Sequence, residues 1–427
     1  MTEALLIKNG TVFDPGSHLN TRADLYIVDG KIGRVCIPRM PDGQLPSPVR
    51  VIDALGKIVV PGLIDMHVHL REPGREDEES VQSGCEAAAA GGFTAVAAMP
   101  NTDPVADTPQ VIRRVLDAAT GAKAKVYPIA AITQGRRGKH LVDMEALREA
   151  GAVAFSDDGS GVQDAAVMLE ALSVSKRLQT LIIAHPEVAS LSQDGCMNEG
   201  EVALQMGLRG IPRIAEEIMI ARDIALAEYV GSRLHIAHIS TERSVDLVRE
   251  AKAKGVGVTC EVTPHHFSLT EEVVGTIGTN AKMSPPLRTA QDVAAIKEGL
   301  ADGTIDAIAS DHAPHSADEK DAAFPEAAFG IIGLETTLAL VLTELVEPGI
   351  LSVSQAIEKL SLAPARILGL EGGTLSVGKP ADITIIDPEA QWTVDASAFR
   401  SKSRNSPFDG RMLKGRAMMT ILDGVPA

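Results

Sequence analysis

The chain has 427 residues, too many for one small domain and enough for a barrel of about 250 residues with an accessory unit. Its formal net charge of −17 argues against non-specific nucleic-acid binding, which relies on Lys and Arg neutralising phosphates, and means that any anionic ligand must be met by locally placed basic residues. Aromatic residues are only 3% of the chain, so Ala, Val, Ile and Leu must fill the core, and the four isolated cysteines (Cys36, Cys85, Cys196, Cys260) fit a reduced compartment and argue against a cysteine-built metal site.

Residues 1–61 read as short strands broken by turns: "ALLIKNG", "ADLYIVDG", "KIGRVCI" and "VIDALGKIVVPG". Asn9-Gly10 and Asp29-Gly30 are hairpin turn signals, and "PRMPDGQLPSP" reads as a solvated loop. The N-terminus lacks a basic region followed by an apolar run and cleavage site. No stretch approaches the roughly 18 apolar residues of a membrane span. The expectation is a soluble, cytoplasmic protein with no membrane partner.

Between residues 62 and 364 the rhythm changes. Short β-rich runs alternate with helix-compatible segments such as "PQVIRRVLDAA" and "QDVAAIKEGLA". The candidate strands are "LIDMHVHL" (63–70), "FTAVAAMP" (93–100), "KVYPIAAI" (125–132) and "AVAFSDD" (152–158). They continue with "TLIIAHP" (180–186), "RLHIAHIS" (233–240), "GVTCEVTPHH" (257–266) and "DAIASDHAPH" (306–315). Eight strands separated by helical patterns predict an α/β fold, a parallel (β/α)8 barrel of the TIM type. An open doubly wound sheet is the alternative, but no glycine-rich nucleotide loop follows the first strand. Strand and turn signals return over 365–427, in "GTLSVGKPADITIIDPE" and "MMTILDGVPA". The two β-rich ends are therefore expected to form one small β-sandwich-like domain beside the barrel.

Polar residues on those strands carry the functional signal. In "IDMHVHLREPG" strand alternation puts His67, His69 and Arg71 on one face, where two imidazoles and a guanidinium make a poor core. His67 and His69 end the first strand, Asn101 follows the second, and Asp157 and Asp158 end the fourth. His185, His238 and Asp311 end the fifth, sixth and eighth. All lie at C-terminal strand ends, the face on which barrel active sites are built. Four histidines with two or more carboxylates there make a candidate metal site of nitrogen and oxygen ligands.

Each residue taken singly has a blander reading. An H-x-H arises by chance, His185 or His238 alone would suit a core, and Asp157-Asp158-Gly159 or Asp311 could be a turn or helix cap. Their joint placement favours the metal. His18 and His140 read as surface residues and His235 as packing, while His265 and His266 would back the barrel mouth. The loop 315–333, long and rich in small residues, is expected to be a lid or binding segment.

"DMHVHLREP" and "ASDHAPHSADEK" resemble the two signature segments of the dihydroorotase family of the amidohydrolase superfamily. "AMPNT", "FSDDG", "TPHH", "PPLR", "AAFGIIGLET" and the closing "GKPADITIID" extend the likeness nearly end to end. The resemblance implies one or two zinc ions per subunit, held by His67, His69, Asp158, His185, His238 and Asp311, with Asp157 as the alternative to Asp158. Relatives such as dihydropyrimidinase bridge their metals with a carboxylated lysine at the end of the fourth strand. No lysine lies between 140 and 175 here, which favours the branch that uses aspartate. Substrate contacts of the family map onto His69, Arg71, Asn101, His315 and the Phe329-Gly330 backbone. Family members often carry Asn before "PPLR", where this chain has Ser284 with its shorter reach.

The implied activity is the zinc-dependent interconversion of N-carbamoyl-L-aspartate and (S)-dihydroorotate in pyrimidine biosynthesis. Asp311 is the candidate general base, and Arg71 with Asn101 receives the substrate carboxylate. Two alternatives follow from the same residues: hydrolysis of another cyclic ureide, as by a hydantoinase or allantoinase, or an inactive scaffold subunit for aspartate carbamoyltransferase. The partners implied are the small-molecule substrate, a homodimer, and a complex with that transcarbamoylase.

Overall fold

The computed structural model describes residues 4–39 and 49–427. The loop expected at 38–48 therefore falls, from residue 40 onward, outside the described residues. Eight parallel strands form one sheet in strict chain order: Leu63–Val68, Phe93–Ala98, Lys125–Ala130, Ala154–Ser156, Ile182–Ala184, Leu234–Ile236, Val258–Val262 and Ala307–Ile308. Every residue of the first two strands is buried. Strands buried along their whole length belong to parallel sheets covered on both faces. Helices Pro109–Ala118 and Ala290–Ala301 lie where the two helical patterns put them. The second of these starts on a reciprocal cap between Thr289 and Asp292.

The ring of strands is closed between the first and the eighth by few main-chain bonds. Val68 bridges His312 in parallel register, and His69 N–H donates to His312 O at 2.8 Å. Below that point a side chain completes the seam. The buried Asp65 carboxyl accepts Ser310 N–H at 3.1 Å on each oxygen and His67 N–H at 3.2 Å. Burial pushes this carboxyl up to about 7 despite those bonds.

The termini build two further sheets. One has four strands, ordered Lys31–Cys36, Asp24–Val28, Ala4–Lys8, Val49–Asp53. The other has six, ordered Val425–Pro426, Met412–Leu422, Ile383–Thr393, Ile58–Pro61, Thr11–Asp14, Leu19–Arg22. The N- and C-terminal segments meet where Ile383–Ile386 pairs antiparallel with Ile58–Pro61. Leu5, Leu25 and Ile27 of the first sheet share a core with Val12, Val59, Ile383 and Ile421 of the second, as in a sandwich.

Asp29-Gly30 forms the expected hairpin turn, with φ of 49° and 72°. Asn9-Gly10 does not. The strand before it pairs with Asp24–Val28 and Val49–Asp53, while Thr11–Asp14 after it joins the other sheet. Asn9 ties this corner to Asp24 and Asp53, and a Cβ on Gly10 would stand 2.5 Å from the Val59 side chain. Close packing between sheets, rather than a hairpin, requires that glycine.

Replacing Asp65 with Ala leaves two buried N–H groups at the barrel seam without an acceptor. The metal-free Asp65→Ala protein is expected to lose about 1–3 kcal/mol in urea denaturation.

Candidate metal centre and active site

The strand ends bring six polar side chains to one rim. Ligand atoms of His67, His69 and Asp158 lie within 4.8 Å of one another, as do those of Asp158, His185 and His238, and all five residues are buried. Asp158 belongs to both groups. Its Oδ1 is 3.4 Å from His67 Nε2, 3.2 Å from His185 Nδ1 and 3.6 Å from His238 Nε2, and its Oδ2 is 3.6 Å from His69 Nε2. His185 Nδ1 and His238 Nε2 face each other at 3.0 Å. Asp311 Oδ1 closes the rim, 3.0 Å from His69 Nε2 and 3.5 Å from His67 Nε2. Burial opposes ionisation of Asp158, yet His67 and hydrogen bonds from His185 and His238 hold it well below the usual carboxylate range.

These residues fit a divalent metal. Ligand atoms about 2.1 Å from one ion at tetrahedral angles stand roughly 3.4 Å apart. The separations above, 3.0 to 3.6 Å, fall around that edge length. His67 Nε2 is buried without a hydrogen-bond partner, although two carboxylates lie within reach of a cation beside it. A buried polar atom without a partner is costly, and a cation held with those carboxylates would satisfy this one.

The two aspartates at the end of the fourth strand have different surroundings. Asp157 accepts Ile132 N–H at 2.8 Å, Thr133 N–H at 3.1 Å and the Thr133 hydroxyl, tying the fourth strand to the loop after the third. Asp158 alone faces the histidines. Arg136 donates to the Asp158 main-chain carbonyl and to Ser160 Oγ, fixing the backbone there.

One group behind the centre was not anticipated from the sequence. Glu261 of the seventh strand accepts His67 Nδ1–H at 2.7 Å and lies 3.3 Å from His235 Nε2. His235 is thus a core histidine, as expected, and also a partner of Glu261. Asn101 Oδ1 accepts His69 Nδ1–H at 2.7 Å, so that this residue orients a histidine as well as facing the cavity. His266 is bonded to Thr263 Oγ1 and Pro285 O within the protein. His265 is buried beside it, their ring centroids 4.4 Å apart.

A cavity of about 590 Å³ opens over the rim, and Arg71, Asn101, Ser284, His315, Phe329 and Gly330 all line it. Several of these groups have protein partners. Arg71 Nε donates to Pro314 O at 3.0 Å and pairs with Glu78 Oε2 at 3.2 Å. His315 Nδ1 faces Glu78 at 3.1 Å and Glu319 at 3.0 Å, and its Nε2 faces Phe329 O at 2.8 Å. Glu78, His315 and Glu319 could in geometry hold a cation, but Arg75 already lies 3.0 Å and 2.8 Å from the two carboxylates. Ser284 Oγ donates to Glu187 Oε2 at 3.0 Å, and Gly330 N–H to Lys282 O at 3.0 Å.

The loop expected to be a lid or binding segment lines the cavity through Phe329 and Gly330 and is stapled in place. Buried Lys282 donates to Phe324 O, Pro325 O and Ala327 O at 2.8, 2.9 and 2.5 Å, and its Nζ stands 4.3 Å from the Phe329 ring centroid. Lys320 Nζ donates to Ala328 O and Gly330 O at 2.9 and 3.0 Å. Carbonyls that would float in a mobile loop are here the acceptors of two ammonium groups, which makes this segment a fixed wall.

A (β/α)8 barrel with two histidine pairs around a shared carboxylate, under a cavity with a largely buried arginine, defines a metal-dependent amidohydrolase. A family model described as Dihydro-orotase-like matches residues 56–244. A dihydroorotase of Pelotomaculum thermopropionicum is 54% identical over 420 residues, covering 98% of this chain and 97% of that protein. One of Geotalea daltonii is 53% identical over 422 residues, 98% of each. The L-hydantoinase (dihydropyrimidinase) structure from Arthrobacter aurescens matches with a TM-score of 0.88 at 27% identity, over 100% of this chain and 96% of that one. The chain belongs to the dihydroorotase family.

Lys320→Met removes an ammonium from the Ala328 and Gly330 carbonyls, the second of which keeps a bond from Asn405 Nδ2 at 3.1 Å. Amide hydrogen exchange across 324–330 is expected to lose about 1–3 kcal/mol of protection, and unchanged exchange would show that Lys320 does not hold the wall.

Proposed function

We propose that this protein is a zinc-dependent dihydroorotase, interconverting N-carbamoyl-L-aspartate and (S)-dihydroorotate in pyrimidine biosynthesis. The observation that carries the proposal is that the two ligand groups sharing Asp158 open onto the same cavity as Arg71, Asn101 and His315. In this reading His67, His69 and Asp158 hold one zinc ion, and Asp158, His185 and His238 hold a second where two are bound. A divalent zinc ion there supplies Lewis-acid polarisation of the amide carbonyl and lowers the pKa of a coordinated water towards about 7.

The chain's own residues do the rest. Asp311, buried at the rim 3.0 Å from His69 Nε2, is the general base. Its carboxylate takes a proton from the attacking water and delivers it to the departing ring nitrogen. In the cyclising direction it takes the proton from the ureido nitrogen and returns it to the departing water oxygen. Arg71 is fixed through Nε, so its guanidinium meets the substrate carboxylate in one orientation. Asn101, with its Oδ1 engaged by His69, offers its amide N–H groups to the same carboxylate, beside His315. The Ser284 hydroxyl proton is committed to Glu187, which leaves its oxygen as an acceptor for a substrate N–H. Phe329 and Gly330 act as wall, since the Phe329 carbonyl and the Gly330 N–H are bonded within the protein.

Hydrolysis of another cyclic ureide is the second reading, favoured by the fold likeness to L-hydantoinase. A largely buried arginine facing the cavity favours a substrate that carries a carboxylate. Among the described residues no helix is long and apolar enough to cross a membrane, and a cytoplasmic site of action accompanies the reading as a dihydroorotase. The resemblance further implies a homodimer and a complex with aspartate carbamoyltransferase as partners.

Metal analysis combined with a ring-opening assay on dihydroorotate and on hydantoin tests the proposal. Zinc bound and dihydroorotate preferred is the expected result. Faster turnover of hydantoin favours the second reading, and a metal-free preparation that zinc cannot activate favours an inactive scaffold. Asp158→Ala is expected to abolish turnover with loss of bound zinc in the same preparation. Arg71→Ala should lower kcat/KM by about 2–5 kcal/mol, as for loss of a desolvated charge partner. Near-normal kinetics in that variant would remove Arg71 from the carboxylate site.

A further inference from the structure

The seventh barrel strand gives the rim no ligand, yet it carries the buried carboxylate nearest to one. Glu261, His67 and His235 are each fully buried. Glu261 Oε1 lies 2.7 Å from His67 Nδ1 and Oε2 lies 3.3 Å from His235 Nε2, while His235 Nδ1 lies 2.8 Å from Thr259 Oγ1. We propose that Glu261 is a positioning residue for the metal centre, fixing the tautomer and basicity of His67. This rests on the reading of His67 as a metal ligand.

The argument is one of donors and acceptors. An ionised carboxylate only accepts, so the proton of a neutral His67 must sit on Nδ1, and Nε2 is left as a lone pair. That atom is buried and has no hydrogen-bond partner, with Asp158 Oδ1 at 3.4 Å and Asp311 Oδ1 at 3.5 Å. A lone pair turned toward two carboxylates is repulsive until a cation lies among them. The other histidine of the H-x-H pair is fixed differently: His69 Nδ1 donates to the neutral amide oxygen of Asn101 at 2.7 Å. The two ligands are therefore unequal. A carboxylate partner raises imidazole basicity in a way that an amide does not, so His67 is the stronger donor of the pair.

Zinc affinity measured by competition with a chromophoric chelator tests this on the full-length protein. Glu261→Leu leaves the His67 tautomer free and is expected to weaken zinc binding about 10- to 100-fold. Glu261→Gln keeps a hydrogen-bond acceptor of the same shape but removes the charge, and is expected to weaken binding less, by about 10-fold. Its cobalt-substituted absorption spectrum should shift from that of the unmodified protein. His235→Asn, which spares the His67 bond, should bind zinc within a few-fold of the unmodified chain. If Glu261→Leu does not fold, Glu261→Gln decides. Unchanged zinc affinity in the Gln variant overturns the inference, and so does a loss in His235→Asn as large as in Glu261→Gln, which would assign the effect to core packing. Should the unmodified protein bind no divalent metal, it is the reading of the centre itself that fails.

Discussion

A buried carboxylate surrounded by four imidazoles is electrostatically incomplete. Asp158 lies within 3.6 Å of a nitrogen of His67, His69, His185 and His238, and Asp311 is set against His67 and His69. With neutral histidines the lone pairs and carboxylate oxygens repel one another, and with protonated ones several cations share a site removed from water. Both states are costly in a low-dielectric interior. One or two divalent cations satisfy all the donors together, and the remaining features of the rim keep those donors in place until the ion arrives.

Holding them is the task of the barrel. The ligands ride on the ends of five strands, His67 and His69 sharing the first, so their relative positions depend on strand register around the whole ring. The register is tightest where it is least expected from main-chain bonding alone. Asp65 joins the first strand to the eighth below His67, while Asp157 joins the fourth to the loop after the third below Asp158. In each case a carboxylate two residues or one residue before a metal-facing side chain is spent on neighbouring N–H groups. The side chain after it then has little freedom to turn away.

How much of this was readable in advance follows from the kind of information each feature needs. The eight strands were visible because each is a short apolar run between helical patterns, and the rim residues because they break those runs at the same end. Asp158 could be separated from Asp157 only by its surroundings, since adjacent residues of one type carry the same sequence signal. Glu261 was passed over although it is a lone charge inside the buried run "VTCEV", a pattern that demands a partner. Its partners lie on the first and sixth strands, which no local reading supplies. The lysine staples of the 324–330 segment were hidden for a similar reason, since Lys282 lies over forty positions before the carbonyls it holds. The hairpin Thr11–Arg22 and the short pair Met197–Asn198 with Gly210–Ile211 were missed because neither alternates cleanly.

Backbone conformation adds a last constraint on the same side chains. Arg71, His238 and Asp311 have φ of 60°, 31° and 48°, a region that costs a non-glycine residue about 1–3 kcal/mol. All three lie just past the end of a strand, where continued extension would carry the side chain along the strand direction and out over the rim. A left-handed residue there turns the chain at once and keeps the side chain over the barrel axis. The strain is borne by His238 and Asp311 at the metal rim and by Arg71 at the cavity wall, while the neighbouring main chain is held by bonds such as His312 N–H to Ser310 Oγ at 3.0 Å. Glycine at these positions would relieve the backbone and remove the chemistry. A chain selected for stability alone has no reason to place an imidazole, a carboxylate and a guanidinium in that conformation around one cavity, and the strain is therefore best understood as the cost of aiming them.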